Sequence, residues 1–150
     1  MNFTIQTVAR SLADYLAAAM TGVTFYEDPN QQGTHPPCLF LQQRYSYTEK
    51  RQAGRYLRRI GLDLTYLVDY NLPDMQQLYQ SAAETLDILI ETFPYSDGTA
   101  QTLLRTYDRE WRIDLDALHY RFELRVWVEF PEEDNPMRAL EYNQEVTDGS

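Results

Sequence analysis

Very little in this sequence lends itself to covalent or metal chemistry. Among 150 residues there is one cysteine, Cys38, and two histidines, His35 and His119. A single cysteine excludes an internal disulfide and fits a reducing compartment. His35, Cys38 and His119 would hold a metal only by long-range convergence, and the close ligand spacing of a structural zinc site is missing. The six glycines stand at 22, 33, 54, 61, 98 and 149, so no glycine-rich turn offers backbone amides to a phosphate. No apolar run approaches the roughly 20 residues that cross a bilayer. Residues 1–20 lack the basic start and apolar centre of a secretion signal. No cofactor, metal or membrane contact is expected.

Positive charge is also scarce. Thirteen Lys and Arg face 23 Asp and Glu, a net charge of −10, which argues against general or sequence-specific affinity for nucleic acid. The bases are not spread evenly. Arg44, Lys50, Arg51, Arg55, Arg58 and Arg59 stand against Glu49 alone, so residues 44–59 are strongly basic inside an acidic chain. Such asymmetry steers one copy of a protein toward an acidic part of the next. The plainer alternative is a solvated charged hairpin.

Periodicity sets the elements. Thr4 caps a helix with Ile5, Val8, Leu12, Tyr15, Leu16 and Ala19 on one face, stopped by Gly22. Val23–Tyr26 is a short strand, and the Pro- and Gly-containing stretch to Pro37 a loop. A strand from Cys38 to Tyr47 is expected to show Leu39, Leu41, Tyr45 and Tyr47 on one side. A second, from Tyr56 to Tyr70, buries Ile60, Leu62, Leu64, Tyr66, Val68 and Tyr70. The connection around Glu49–Gly54 makes this pair a hairpin, whose charged tip from Tyr47 to Tyr56 is expected to be poorly ordered in an isolated subunit and ordered in an assembly. Asn71 or Asp74 caps a second helix with the stripe Met75, Leu78, Tyr79, Ala82, Leu86, Leu89, Ile90 and Phe93, ended by Pro94 and the Ser96-Asp97-Gly98 turn. Two more strands follow. Thr106–Leu115 presents Tyr107, Trp111, Ile113 and Leu115 inward, and His119–Phe130 presents Tyr120, Phe122, Leu124, Val126, Val128 and Phe130. The short Asp116–Leu118 link makes them antiparallel.

The order α-β-β-β-α-β-β predicts an α+β fold, an antiparallel sheet with two helices packed on one face. Residues 1–130 form this single domain, and residues 131–150, acidic but for Arg138, an attached tail.

The paired acids Asp114 and Asp116, and Glu132, Glu133 and Asp134, flank a turn or lie in the tail and read as solvated charge. Cys38 begins an apolar segment and reads as a buried free thiol. No catalytic residue stands out. Tyr45, Tyr47 and Tyr56 accompany the basic hairpin, and tyrosine with arginine is the composition of protein contact surfaces. Stacking on single-stranded nucleic acid is a second use of the same residues. Trp127 interrupts an outward charged row of His119, Arg121, Glu123, Arg125 and Glu129. An uncovered indole there is ordinary at a subunit contact, unless a loop or the tail covers it. Arg44, Tyr45, Tyr47, Lys50, Arg51, Arg55, Tyr56, Arg58, Arg59 and Trp127 are thus the candidate interface. Arg59 lies opposite Ile60 and Leu62, so reversing Arg51, Arg55, Arg58 and Arg59 is expected to spare the core.

With this order of elements the chain resembles the tail terminator proteins of tailed bacteriophages and prophages. The resemblance runs over residues 1 to about 130. It rests on the Phe3-Thr-Ile-Gln-Thr-Val-Ala-Arg-Ser-Leu helix, Pro36-Pro-Cys-Leu-Phe-Leu, Arg58-Arg-Ile-Gly-Leu-Asp-Leu-Thr-Tyr and Tyr120-Arg-Phe-Glu-Leu-Arg-Val. It implies a non-enzymatic structural subunit of the virion tail or neck, made in the host cytoplasm. Its expected partners are itself, usually as a hexameric ring, and the phage tail tube and head–tail connector proteins. The ring caps the tube, ends polymerisation and offers the head a joining surface. Another phage neck or head–tail adaptor subunit, or a small protein-binding domain or enzyme unrelated to phage, stays open as an alternative.

Overall fold

In the computed structural model, which describes residues 3–26, 35–69, 73–114 and 117–128, the periodicities become two helices and six strands. Helix α1 (Ile5–Ala19) starts at Thr4, whose hydroxyl accepts from the Thr7 amide while the Thr7 hydroxyl accepts from the Thr4 amide. Its buried residues are Val8, Ala9, Leu12 and Leu16; Ile5 and Ala19 at its two ends are exposed. Strands β1 (Thr24–Tyr26), β2 (Cys38–Lys50) and β3 (Tyr56–Leu67) precede helix α2 (Met75–Leu89). Asp74 holds the N-cap position of α2 without a side-chain cap bond, and Asn71 lies outside the described residues. Strands β4 (Thr92–Ser96), β5 (Gln101–Asp114) and β6 (Ala117–Val128) complete the chain.

The sheet runs β1-β2-β3-β6-β5-β4. It differs from the expected one in two ways. The sheet is mixed, because β1 lies parallel to β2, with Thr24, Phe25 and Tyr26 opposite Cys38, Leu39 and Phe40. Parallel neighbours need a longer return than a hairpin turn gives, and most of the stretch to Pro37 that joins them, residues 27–34, lies outside the described residues. Second, Phe93 and Pro94 belong to a further strand, not to the end of α2. In β4 Phe93 and Tyr95 are buried while Pro94 between them is exposed, a period of two in place of 3.6. Proline, which has no amide hydrogen to give, suits this edge strand.

The six strands curl into a half-barrel. Helix α1 touches both edge strands, β1 and β4, and so spans the gap between them, while α2 lies on β5 and β6. Both helices add to the one core enclosed by the curl, and a bond from Tyr15 to Leu89 joins them. Side-chain bonds fix them: Ser11 Oγ accepts from the Ser96 amide at 3.1 Å, the Tyr15 hydroxyl donates to the Leu89 carbonyl at 2.9 Å, and the Thr106 hydroxyl donates to the Ile90 carbonyl at 2.8 Å. The enclosed core combines Leu12 and Leu16 of α1, Tyr79 and Leu86 of α2, and Leu62, Leu64, Tyr120, Phe122 and Leu124 of the central strands. Cys38 is fully buried, and burial pushes its thiol up.

The hairpin is longer than expected. Lys50 pairs with Tyr56, so the ladder reaches a tight tip at Gln52–Gly54, where the Arg51 amide donates to the Arg55 carbonyl at 2.7 Å. Beyond Phe40, β2 has no neighbour on its outer side among the described residues. Beyond Leu124, β6 has lost β5, which goes on to pair with β4. A three-stranded ribbon, β2–β3–β6, thus extends past the core. Tyr70, Leu115 and Phe130, expected inside, and the tail 131–150 lie outside the described residues.

Candidate subunit interface

The outer face of the ribbon is set by one extra residue. In β2 the pairing shifts between Gln43 and Tyr45, so Arg44 bulges out of the ladder. An inserted residue reverses the facing of everything after it. Leu39 and Leu41 therefore face the core, and Tyr45 and Tyr47 face away from it, not the same side as expected. Tyr45 then stands opposite Gly61, and Gly61 opposite Glu123. A Cβ on Gly61 would lie 2.2 Å from the Tyr45 ring, so only glycine lets the ring lie across β3.

The Tyr45 hydroxyl reaches Glu123 across that glycine, donating at 2.7 Å. Glu123 also accepts from Arg59 Nε at 3.0 Å and Arg125 Nε at 2.6 Å, and is only 2% exposed. Burial works against its charge, but the hydrogen bonds from Arg125, Tyr45 and Arg59 outweigh it and hold the carboxyl below the ordinary range. Tyr45 is pushed up to about 12, by burial first and by Glu123 second. Arg59 bridges on to Glu49 at 3.2 Å, and Arg125 to Asp108 at 3.2 Å.

One pair of residues along the ladder lies a second buried carboxylate, Asp63, 5% exposed. It meets Arg121 Nε at 3.2 Å, His119 Nδ1 at 3.1 Å and the Thr65 hydroxyl at 2.9 Å. The other His119 nitrogen lies 3.4 Å from Asp114. Of the outward row read in β6, His119, Arg121, Glu123 and Arg125 are each met by an opposite charge, mostly from neighbouring strands. Glu129 lies outside the described residues. Among the described residues no three His, Cys, Asp or Glu side chains come together as metal ligands, and no helix is long and apolar enough to cross a membrane.

The candidate residues divide between this network and the ribbon tip. Arg59 and Tyr45 are internal partners of Glu123. Reversing Arg59 to Glu would set two carboxylates together at a buried site, so the expectation that all four arginine reversals spare the fold is corrected. Tyr47 is 45% exposed, with Arg59 5.3 Å from its ring centre, and Arg44 lies 5.5 Å from that of Tyr45. Arg51 pairs with Glu49 at 2.6 Å. Arg55 stacks on Trp127 at 4.1 Å, and Trp127 remains 53% exposed. Lys50, Tyr56 and Arg58 sit on the opposite face of the ribbon, Tyr56 and Arg58 half-buried and Lys50 exposed. Among the described residues Arg44, Lys50, Arg55 and Arg58 have no acidic partner within ion-pair distance.

Sequence reasoning missed a second uncovered apolar site. Leu103 on β5 is 69% exposed and borders a cleft of about 530 Å³ with Ser11, Asp14, Tyr15, Pro94 and Tyr95, between α1 and the β4–β5 hairpin. Ile88 on α2 is 80% exposed. Leu103 carried no signal, because its strand was expected to start at Thr106.

No curated protein matches the chain. One solved structure at 12% identity covers 85% of this chain and 94% of its own length, with a TM-score of 0.36. The family model described as phage tail terminator protein matches residues 5–137, nearly the whole domain including both helices and all six strands. The chain belongs to the phage tail terminator protein family.

Proposed function

We propose that copies of this chain join head-to-tail into a closed ring that caps the tail tube, ends its polymerisation and presents the surface on which the head is joined. Family membership makes the protein a structural component of the phage tail. The observation that carries the finer reading is the presence of two unlike uncovered patches on one subunit. One is the ribbon tip with Trp127, Tyr47 and Arg55; the other is Leu103 beside the α1 cleft. A head-to-tail ring needs such a pair, since each contact joins two different surfaces. Isolated exposed leucines are common on monomers, whereas a large indole flanked by arginine is a composition of contact centres.

The partners in this reading are other copies of the chain, the tail tube and the head–tail connector. The test is the mass of the purified protein with and without tail tubes, together with negative-stain images. A discrete oligomer with a central opening, bound at tube ends, is expected. A single-subunit mass under both conditions would sink the reading, and rings that ignore tubes would move the protein to another position in the phage neck.

A further inference from the structure

Helix α2 turns to solvent a face that is acidic but not wholly polar. Gln77, Ser81, Glu84 and Ile88 follow one another at four, three and four residues, which puts them on one stripe. That stripe lies opposite the buried Tyr79, Ala82 and Leu86, so it points away from the chain's own sheet, and Ile88 on it is 80% exposed. Residues 69–91 carry five acids and no base. Asp87 is occupied by the Tyr120 hydroxyl. Asp74, Glu84 and Glu91 have no basic partner within ion-pair distance among the described residues.

The ribbon carries the complement. Its core-side face runs on past Ile60 and Leu124, with Arg58 opposite Val126 and Tyr56 opposite Val128. Lys50 stands across from Tyr56 on the same face. Arg58 and both valines are half-buried, and Lys50 is exposed. Neither base has an acid within ion-pair distance among the described residues. Two valines beside two uncompensated cations match an exposed isoleucine beside uncompensated carboxylates.

We propose that α2 of one copy docks on the core-side face of the ribbon of a second copy, Ile88 against Val126 and Val128, with Glu84 and Glu91 toward Lys50 and Arg58. Charge complementarity selects this occupant. The helix cannot bring that stripe to the ribbon of its own chain, because its other face is packed on β5 and β6. The two surfaces are unlike, as head-to-tail joining requires. The docking rests on the self-association proposed above but not on closure of a ring, and it adds α2 to the tip and Leu103 as surfaces that meet a neighbour.

Charge reversal in the full chain, read by sedimentation with and without tail tubes, tests the contact. Glu84→Lys with Glu91→Lys on the helix, or Lys50→Glu with Arg58→Glu on the ribbon, should weaken self-association about ten-fold or more, since attractions become repulsions. All four changes in one chain should bring it back to within about three-fold of the parent, because every pair is then opposite again. Melting temperatures near the parent's show that the variants fold. Lys50→Glu with Glu84→Lys repeats the swap at two exposed positions should Arg58→Glu not fold. No weakening by either pair, or a weakening that the combined chain does not reverse, would overturn the docking. Rings that persist in every variant leave the ring reading standing without it. An oligomer that shows the rescue but no closed ring sinks the ring alone, and a parent that stays a single subunit under both conditions sinks both.

Discussion

At the residue scale the Gly61–Tyr45–Glu123 arrangement makes the sharpest claims. Gly61→Ala must displace the Tyr45 ring and break its bond to a buried carboxylate, a loss of about 2–3 kcal/mol by the cost of overpacking and of a charged hydrogen bond. In a Tyr45→Ala background the same substitution should cost under about 1 kcal/mol, because its obstacle is gone; urea unfolding of the four proteins measures the coupling. Equal costs in both backgrounds would show that the ring does not occupy that site. Glu123 predicts a pH dependence. Its folded carboxyl titrates lower than the unfolded one, so its stabilisation is present above the ordinary glutamate range and is lost as pH falls through the folded value. The stability difference between the parent and Glu123→Gln should therefore be full near neutrality and shrink below about pH 4, where the unfolded carboxyl takes up its proton. A difference that does not change with pH would mean that the carboxylate charge is not what Arg59 and Arg125 hold.

At the scale of elements α2 offers a matched pair. Leu86 is fully buried and Ile88, two residues on, is 80% exposed. Leu86→Asp puts an unpaired charge in the core and should unfold the domain, whereas Ile88→Asp should leave the melting temperature within a few degrees of the parent, as surface changes usually stay within about 0.5 kcal/mol. The reverse result would mean that the opposite face of α2 packs on β5 and β6. The centre of each helix face was legible in the sequence, because a spacing of three and four is local to the element. Leu78 of the expected α2 stripe and Ile5 and Ala19 of the α1 stripe are nevertheless exposed. The end of α2 was not legible. Phe93 continues the helical stripe in spacing, and only pairing with β5 turns Thr92–Ser96 into a strand. The bulge at Arg44 was equally silent, since an extra residue in a ladder has no residue type of its own and shows only when the partner strand is in place.

For the whole molecule the two uncovered patches can be separated by substitution. Trp127→Ala with Arg55→Glu removes the tip, and Leu103→Asp removes the other side. Each should lower the sedimentation mass toward one subunit with little change in melting, because none of these residues lies in the core. Mixing the two variants should restore a limited contact through the intact patch of each, as expected for unlike surfaces that meet pairwise. Loss of assembly with no recovery on mixing would favour a contact of like with like. Arg59, although part of the same basic run, belongs in neither variant. Its guanidinium is spent on Glu123 and Glu49.

The sequence by itself determined what local spacing and composition determine: two amphipathic helices, a long charged hairpin, a second antiparallel pair, an α+β class and the resemblance to tail terminators. Tertiary structure decided the rest. Whether β1 runs parallel, which way Tyr45 faces, whether Glu123 and Asp63 meet water or arginine, and which apolar residues stay uncovered all depend on which strands become neighbours and in what register. The physical reason is one of range. Periodicity is written between residues three or four apart, while register, bulges and the burial of charge are settled between residues as distant as Tyr45 and Glu123, which touch only after the sheet has formed.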